Sequence, residues 1–486
     1  MKVGCPACLD DDHDDCHNKD CRCLLETNHG RIMYDTSIEA GEITFISKHS
    51  DNNRIDFIAS GLINKYNFVT AIESDTIYLF TGKIYENEKA IATIKEQTEK
   101  RIVECTERDC LEVIAKIKRK TYKNLKDFDS SPNFINTENG ILNLDTMELK
   151  QHTHAYLSKV LLPVKFRMPT SQDIEKNLEK TLFWKFLKSS FTVDEKTNQE
   201  DMKTVLEIMA SIFLKTNVDE RSVMFLGGGE NGKSVCLDYI KFMLGKKNFS
   251  NIPLQIITND RFSTANLDGK LANIFTDLEK DELKHTGTFK AVSSGEAIYA
   301  QKKYGQPFDL IPVATQIFST NRFPKSYDQS QGFFRRWIIV QWLRNFENDP
   351  DRDGKLKEKL LENESDRDIV FSNLIQIARN LLKTNTFSYS KDWQVIKKEW
   401  NANADPVEDF MDNYIIDSDR SKTKRETYQF YKKIMVEKGE IPLGIGKFGK
   451  IFSEYFDDSK TDGTRTWLNI DFKETKQETL QDYDHD

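Results

Sequence analysis

The chain has 486 residues, a formal net charge of −8, 38% hydrophobic residues and 30% charged residues. That length is too great for a single core and predicts about three or four domains, while the acidic sum excludes a global basic field, so any nucleic-acid surface must be local. No run of 18 apolar residues spans a membrane and the N-terminus "MKVGCPACLDDDHDDC" lacks an apolar signal region, so an intracellular, cytoplasmic setting with reduced or metal-bound cysteines is expected.

Five of the eight cysteines and three of the eight histidines fall in the first 29 residues. Cys5, Cys8, His13, Cys16, Cys21, Cys23 and His29 form a series that opens with the Cys-x2-Cys spacing typical of tetrahedral zinc. His17 lies within the same run, and the set allows one site or two sites sharing a ligand. The segment has no apolar core, so Zn2+ would supply its folding energy. The alternative is a merely reduced tail or a disulfide knot. Residues 31–130 alternate β-like runs ("GEITFIS", "TIYLFTGKIY") with a helix expected over "IATIKEQTEKRIVECTE" and read as a small α/β module, with Cys105 and Cys110 structural. "NTENGILNLDTMEL" reads as a hairpin turning at Asn139-Gly140. "IEKNLEKTLFWKFLKSSF" and "DMKTVLEIMASIFL" have helical periodicity and form either a separate collar or part of the same fold as the next segment.

That next segment is "VMFLGGGENGKSVCLDYIKFML", a β-like run, a glycine loop and a helix. Gly227-x4-Gly232-Lys233-Ser234 fits the phosphate-loop pattern without a gap. Gly227, Gly228, Gly229, Glu230, Asn231, Gly232, Lys233, Ser234 and Val235 would cradle the phosphates of a nucleoside triphosphate at a helix N-terminus, with Lys233 on the β/γ oxygens and Ser234 on magnesium. The apolar run Leu271 to Phe275 leads to Asp277, an acid at a strand tip where Mg2+ is held in such folds. Glu279, two residues on, shares its face and is either the group that polarises the attacking water or an ordinary surface acid. "AIYAQKKYGQPFDL" reads as a hairpin with Lys302, Lys303 and Tyr304 at its crest, a basic and aromatic grip for a phosphate backbone or else a solvated turn. The strand "LIPVATQIFSTN" (310–321) ends in Asn321, an amide suited to sensing the γ-phosphate. Arg335 and Arg336 precede the strand "WIIVQW" and are either suited to reach a neighbouring subunit's nucleotide or ordinary surface salt-bridge formers. Two helices about a Pro/Gly turn and a β segment (427–472) suit a winged helix with Lys447, Lys450 and Lys460 toward DNA, or an oligomerisation subdomain, and the last residues read as an acidic tail.

Phosphate loop, strand acid, basic hairpin, strand-end asparagine and arginine pair come within about 110 residues. That order resembles the superfamily 3 helicases of viruses and plasmids, in particular the primase–helicase branch of poxviruses, phages and archaeal elements; "NGILNL", "ANIFTDLEKDELKHTGTFKAVSSGEAIYAQKKYGQPF" and "FSTNRFP" carry the likeness. The resemblance covers roughly residues 130–400 and implies an α/β fold with an AAA+-like P-loop ATPase core (216–400) after a helical domain (131–215) and a winged helix at 401–474; the residues themselves give the zinc-binding module at 1–30, the small α/β module at 31–130 and the tail at 475–486. It implies ATP and Mg2+ as cofactors, a homo-hexamer, and an ATP-dependent DNA helicase of a virus or mobile element acting on single-stranded and forked DNA, with Asn321 as sensor and Arg335 or Arg336 as trans finger. Leu278 follows Asp277 where other branches have adjacent acids, which leaves the catalytic base open. The residues before the helicase-like part hold no paired-acid strand, so no polymerising activity is expected; a separate primase or other replication proteins would act as partners, and no membrane is involved. The rival reading is an ATP-switched initiator or loader that binds DNA without unwinding it.

Overall fold

The computed structural model describes residues 51–473, except 280, 304, 350–351, 438–441 and 462, together with short strands at Leu25–Thr27, Gly30–Ile32, Tyr34–Asp35 and Thr44–Phe45. Every one of the seven expected zinc ligands, and the tail 475–486, lies outside the described residues. Among the described residues no helix is long and apolar enough to cross a membrane.

At the centre is a five-stranded parallel sheet. Its strands are β1 (Ser222–Leu226), β2 (Phe249–Ser250), β3 (Ala272–Phe275), β4 (Thr315–Thr320) and β5 (Trp337–Gln341). They lie side by side in the order β2-β3-β4-β1-β5. The strands are short apolar runs because both faces are covered. Val223 and Phe225 point into one core and Met224 into the other, the two-residue alternation of a strand. The first core combines that face with residues 135–214, the helix α1 (Lys233–Leu244) and the long helix Glu364–Thr384. The helices Leu182–Ser190 and Gln199–Ser211, expected either as a separate collar or as part of the same fold, bury their apolar stripes in the core beneath the sheet. The second core is closed by α2 (Gly287–Ser294) and α3 (Trp393–Ala404).

Before this body, residues 51–123 build a module with its own core, from the helices Asp51–Tyr66, Ala90–Glu99 and Glu107–Thr121 on a four-stranded sheet. The single helix expected over 91–107 is two helices. Thr106 and Asp109 form a reciprocal capping box that starts a new helix, so the first one stops short of it. Cys105 and Cys110 flank that cap as free thiols with sulfurs 3.7 Å apart. The expected hairpin is present with its turn one residue earlier. Thr137 pairs with Gly140, so Glu138 and Asn139 make the turn. Asn139, within that turn, anchors it to the following segment, its amide bonded to both the N–H and the C=O of Phe166. The strand expected from 310 begins at Thr315, because Leu310 closes the preceding hairpin and Pro312 has no N–H for a ladder.

After α3 come α4 (Pro406–Tyr414), the helix Lys424–Glu437 and α5 (Ile445–Phe452), then the antiparallel hairpin Asp458–Thr461 with Thr464–Trp467. They enclose a separate core around Phe410, Tyr431, Phe448 and Trp467. Trp400 on α3 ties this C-terminal unit to the sheet. It is fully buried, stacks on Phe323 at 4.3 Å, meets Phe333 edge-on, and donates its indole N–H to Pro324 O at 2.9 Å. Trp400→Ala is expected to cost about 3–5 kcal/mol, and Trp400→Phe less, since a phenyl ring keeps part of the aromatic packing while losing the hydrogen bond and the second ring of the indole. Denaturant titration of the three proteins checks the order, and an unchanged midpoint for Trp400→Ala contradicts it.

Candidate functional site

The loop leaves β1 at Leu226 and enters α1 at Lys233, at the C-terminal edge of the sheet. Two glycines there have specific reasons. A Cβ at Gly227 would lie 2.4 Å from both the Asn231 amide and the Trp342 carbonyl oxygen. Gly232, at φ +90°, turns the chain into the helix in a region that disfavours side chains. Asn231 then braces the loop from within, its Nδ2 donating to Gly228 O at 2.8 Å and Trp342 O at 3.1 Å. The N-cap Gly232 offers no side chain; Asn231 Oδ1 accepts the Lys233 N–H at 3.4 Å, and the next first-turn N–H groups face the loop.

Lys233 is only 5% exposed. Its Nζ donates to Gly227 O at 2.6 Å, Gly228 O at 2.8 Å, Asn231 Oδ1 at 3.2 Å and Asn321 Oδ1 at 3.4 Å. Burial lowers its pKa to about 8, against the opposing pull of the Asp277 carboxylate. The amine therefore sits where loop, Asn321 and Asp277 converge. The sheet order explains the convergence. β4 lies between β1 and β3, so its tip at Asn321 stands between the loop and the acid. Leu278 is buried and its N–H pairs with Ser319 O at 2.9 Å, which turns Asp277 and Glu279 together to the exposed side. Ser234 is exposed at the start of α1, Gly228 and Gly229 are exposed in the loop, and Val235 packs on the first core. Glu230 is occupied structurally: its carbonyl accepts from Phe346 N–H at 2.7 Å and its carboxylate pairs with Arg352 at 2.8 Å.

The two arginines part company. Both stand at the start of β5, level with Ser222, whose N–H donates to Arg336 O at 2.6 Å. The loop is at the other end of β1, about 15 Å away at ~3.3 Å per residue. Neither arginine is at the loop of its own chain. Arg336 is buried; its guanidinium donates to Gly332 O and, at 2.6 Å, to Ser294 Oγ, and its charge is disfavoured by burial and by Arg335. Arg335 is exposed and held by Glu220 at 2.7 Å. The basic hairpin is formed by Ile298–Gln301 and Pro307–Leu310, with Lys302 and Lys303 exposed at its crest. Lys302 is 3.4 Å from Asp268, which is itself 3.5 Å from the half-buried Lys159. In the C-terminal unit Lys447 and Lys450 are exposed on α5.

A cleft of about 1170 Å³ opens from Gly227, Gly228 and Gly229. Its opposite wall includes Asn403, Asn413, Tyr414, Leu443 and Gly444, far away in the chain, and Arg322 and Arg344 also line it. None of these carries a local motif, and only the folded contact reveals them.

A family profile described as "D5 N terminal like" matches residues 61–191. One described as "Family of unknown function (DUF5906)" matches residues 225–336, the stretch from the loop to the arginines. The chain is 22% identical over 249 residues to "Putative helicase L207/L206" of Acanthamoeba polyphaga mimivirus, covering 47% of this chain and 26% of that protein. It is 23% identical over 248 residues to "Putative helicase 121R" of Invertebrate iridescent virus 3, covering 48% of this chain and 25% of that protein. The D5-like profile and the two viral relatives support a likeness to superfamily 3 helicases of the viral primase–helicase type. It spans about a quarter of the length of these curated helicase relatives. Among solved structures it is similar to "The apo structure of NrS-1 C terminal region (305-718)", with TM-score 0.46 and 14% identity over 86% of this chain and 99% of that one. It is also similar to "The A form apo structure of NrS-1 C terminal region-CTR", with TM-score 0.46 and 13% identity over 85% and 98%.

The different burial of the paired arginines yields a stability test. Arg336→Ala is expected to cost about 2–4 kcal/mol, because it strips a buried hydrogen-bonded group from between β5 and α2. Arg335→Ala, which removes an exposed pair, should cost no more than about 1 kcal/mol. Urea titrations of the two variants check this, and equal midpoints would contradict the assignment.

Proposed function

We propose that the chain is an ATP-hydrolysing replicative DNA helicase of a virus or mobile element, built on an AAA+-like core and working as a ring. The observation that carries this reading is the meeting of the Lys233 amine with Asn321 and the Asp277 charge beneath a helix N-terminus whose N-cap is a glycine. The helicase names of the viral relatives support the choice of motor over other phosphate-loop proteins.

In this reading the loop N–H groups hold the phosphates and Lys233 neutralises the β/γ oxygens. Ser234 and Asp277, two hard oxygen donors at the same sheet edge, would hold Mg2+, which neutralises developing phosphate charge when bound. A cation of this kind needs only one or two protein ligands besides the phosphates. Asn321 orients the γ-phosphate or the attacking water, and Glu279 is the candidate for polarising that water. Arg335, exposed and about 15 Å from its own loop, is the candidate finger for a neighbour's site. Lys302 and Lys303 would grip single-stranded DNA, with a phosphate replacing Asp268 as the partner of Lys302. The C-terminal helices and hairpin would serve as a winged helix.

The test is ATP turnover with and without single-stranded DNA, alongside strand displacement on a forked duplex. DNA-stimulated turnover with displacement is expected. Stimulated turnover without displacement would favour an initiator or loader, and no turnover would overturn the reading. The ring is tested by mixing two inactive proteins. Arg335→Ala should lose roughly 10³–10⁵ in turnover while still binding ATP, and Lys233→Ala should lose turnover with its finger intact. Reassembled mixtures should regain ATPase, because some interfaces then join a sound loop to a sound arginine. Mixtures that stay inactive although subunits exchange would remove the trans role. Lys302→Ala combined with Lys303→Ala should weaken single-strand binding and flatten its salt dependence, with basal ATPase kept. An unchanged salt slope would move DNA contact elsewhere.

A further inference from the structure

Six cations and no acid stand between Lys116 and Lys126, in the run "KIKRKTYKNLK" of an otherwise acidic chain. The run covers the end of the helix Glu107–Thr121, the short edge strand Tyr122–Lys123 and the turn Leu125–Asp127. It belongs to the N-terminal module, outside the body built on the central sheet. We propose that this run is a contact for single-stranded nucleic acid, with Arg119, Lys123 and Lys126 on backbone phosphates and Tyr122 offering its ring to a base. The proposal does not depend on the nucleotide reading of the loop.

Local pairing absorbs only half of the charge. Lys116 and Lys120 share Asp56 at 2.8 and 2.7 Å, and Lys118 pairs with Asp75. The other acids facing the run are also engaged: Glu73 accepts from Leu125 N–H at 2.7 Å and Asp127 from Asn124 N–H at 3.3 Å. Arg119, Lys123 and Lys126 are exposed and pair with no acid among the described residues. A cation suits the negative end of a helix, and a lysine on an edge strand discourages pairing with another chain. Those roles explain Arg119 and Lys123 one at a time, but not the aromatic ring set between them. Tyr122 is 42% exposed, and its hydroxyl donates to Asp75 Oδ1 at 3.2 Å, which holds the ring at the surface. Cations interleaved with an exposed ring suit a single strand, whose phosphates take the charges and whose unstacked bases take the ring.

The place of the run supports the same partner. Its end lies at the corner occupied by the basic hairpin. Leu125 packs on the second core, which contains Ala300 and Phe308 of that hairpin. Two residues past the run, the Phe128 ring lies 5.4 Å from Lys159 Nζ; Lys159 is 3.5 Å from Asp268, and Asp268 is 3.4 Å from Lys302 at the crest. A strand leaving the crest on this side meets its next free cations on the N-terminal module.

The test is the binding of a fluorescent oligothymidylate to the full chain, by anisotropy across a salt series without nucleotide. Neutralising three single-strand phosphate contacts lowers the salt slope by roughly two units. The combined Arg119→Gln, Lys123→Gln and Lys126→Gln protein should show that loss with unchanged melting. The charge-keeping Arg119→Lys, Lys123→Arg and Lys126→Arg protein should keep the native slope. Tyr122→Leu should keep the slope and bind at least about fivefold more weakly, the loss of one stacked base. Lys176→Gln, Lys180→Gln and Lys383→Gln together remove the same charge from exposed sites elsewhere and should bind as the native chain does. A native slope in the first protein overturns the proposal. So does an equal loss in the Lys176, Lys180 and Lys383 protein, which would show a response to net charge alone, and so does native affinity in Tyr122→Leu. The Lys302→Ala and Lys303→Ala protein reports on the hairpin separately, so failure of either site leaves the other standing.

Discussion

A buried ammonium group without a carboxylate in direct contact is costly, and the site is organised around one. Lys233 is held by two loop carbonyls and two amide oxygens, none of them charged. These neutral partners satisfy its hydrogen bonds without cancelling its charge, so burial still pulls its pKa to about 8. The amine is left with unspent electrostatic demand at the mouth of a helix whose N-cap glycine supplies no side-chain partner to its first turn. An anion arriving there meets both. The glycines at 227 and 232, the Asn231 brace and the carbonyl of Trp342 all serve to hold the loop in the shape that keeps this charge underpaired.

The sheet order extends that local arrangement across the fold. With β4 inserted between β1 and β3, the Asn321 tip is a direct neighbour of the loop, and Asp277 stands one strand further. The same β4 tip continues into the Phe323–Lys325 segment that α3 and α4 clasp. The loop thus has a short, packed route to the C-terminal unit. At the opposite edge of the sheet, Arg336 locks β5 to α2 and leaves Arg335 at the surface. In the proposed ring a charge at the far edge would reach a phosphate only across a boundary between subunits, which is why the arginine and the ring are one question.

Much of this was legible in the sequence because it is local. The phosphate loop, the Asp277–Glu279 spacing, the Lys302–Lys303 hairpin and the Asn321 tip each depend on a few consecutive residues and a two-residue period. The errors were also local. A capping box at Thr106 splits what periodicity alone joins, and the turn that Asn139 anchors to Phe166 falls one residue earlier than the Asn-Gly pair suggests. What sequence could not give was set by long-range packing. Nothing near Arg335 and Arg336 distinguishes the exposed one from the buried one; Ser294 and Gly332 decide it. Nor does any motif announce Asn403, Asn413 or Gly444 as neighbours of a loop some 170–220 residues earlier.

The central claim is that Lys233 exchanges carbonyl partners for phosphates. Calorimetric titration of ATP at pH 8.5, in buffers of different ionisation enthalpy, tests it most directly. Free protein with a lysine pKa near 8 is mostly neutral there, and phosphate charge raises that pKa, so binding must take up a proton. The account predicts net uptake on the order of half to one proton, fading toward pH 7, where the amine is already charged, and absent in a weakened Lys233→Ala. ATP binding at pH 8.5 without proton uptake, or with native affinity in Lys233→Ala, would contradict it.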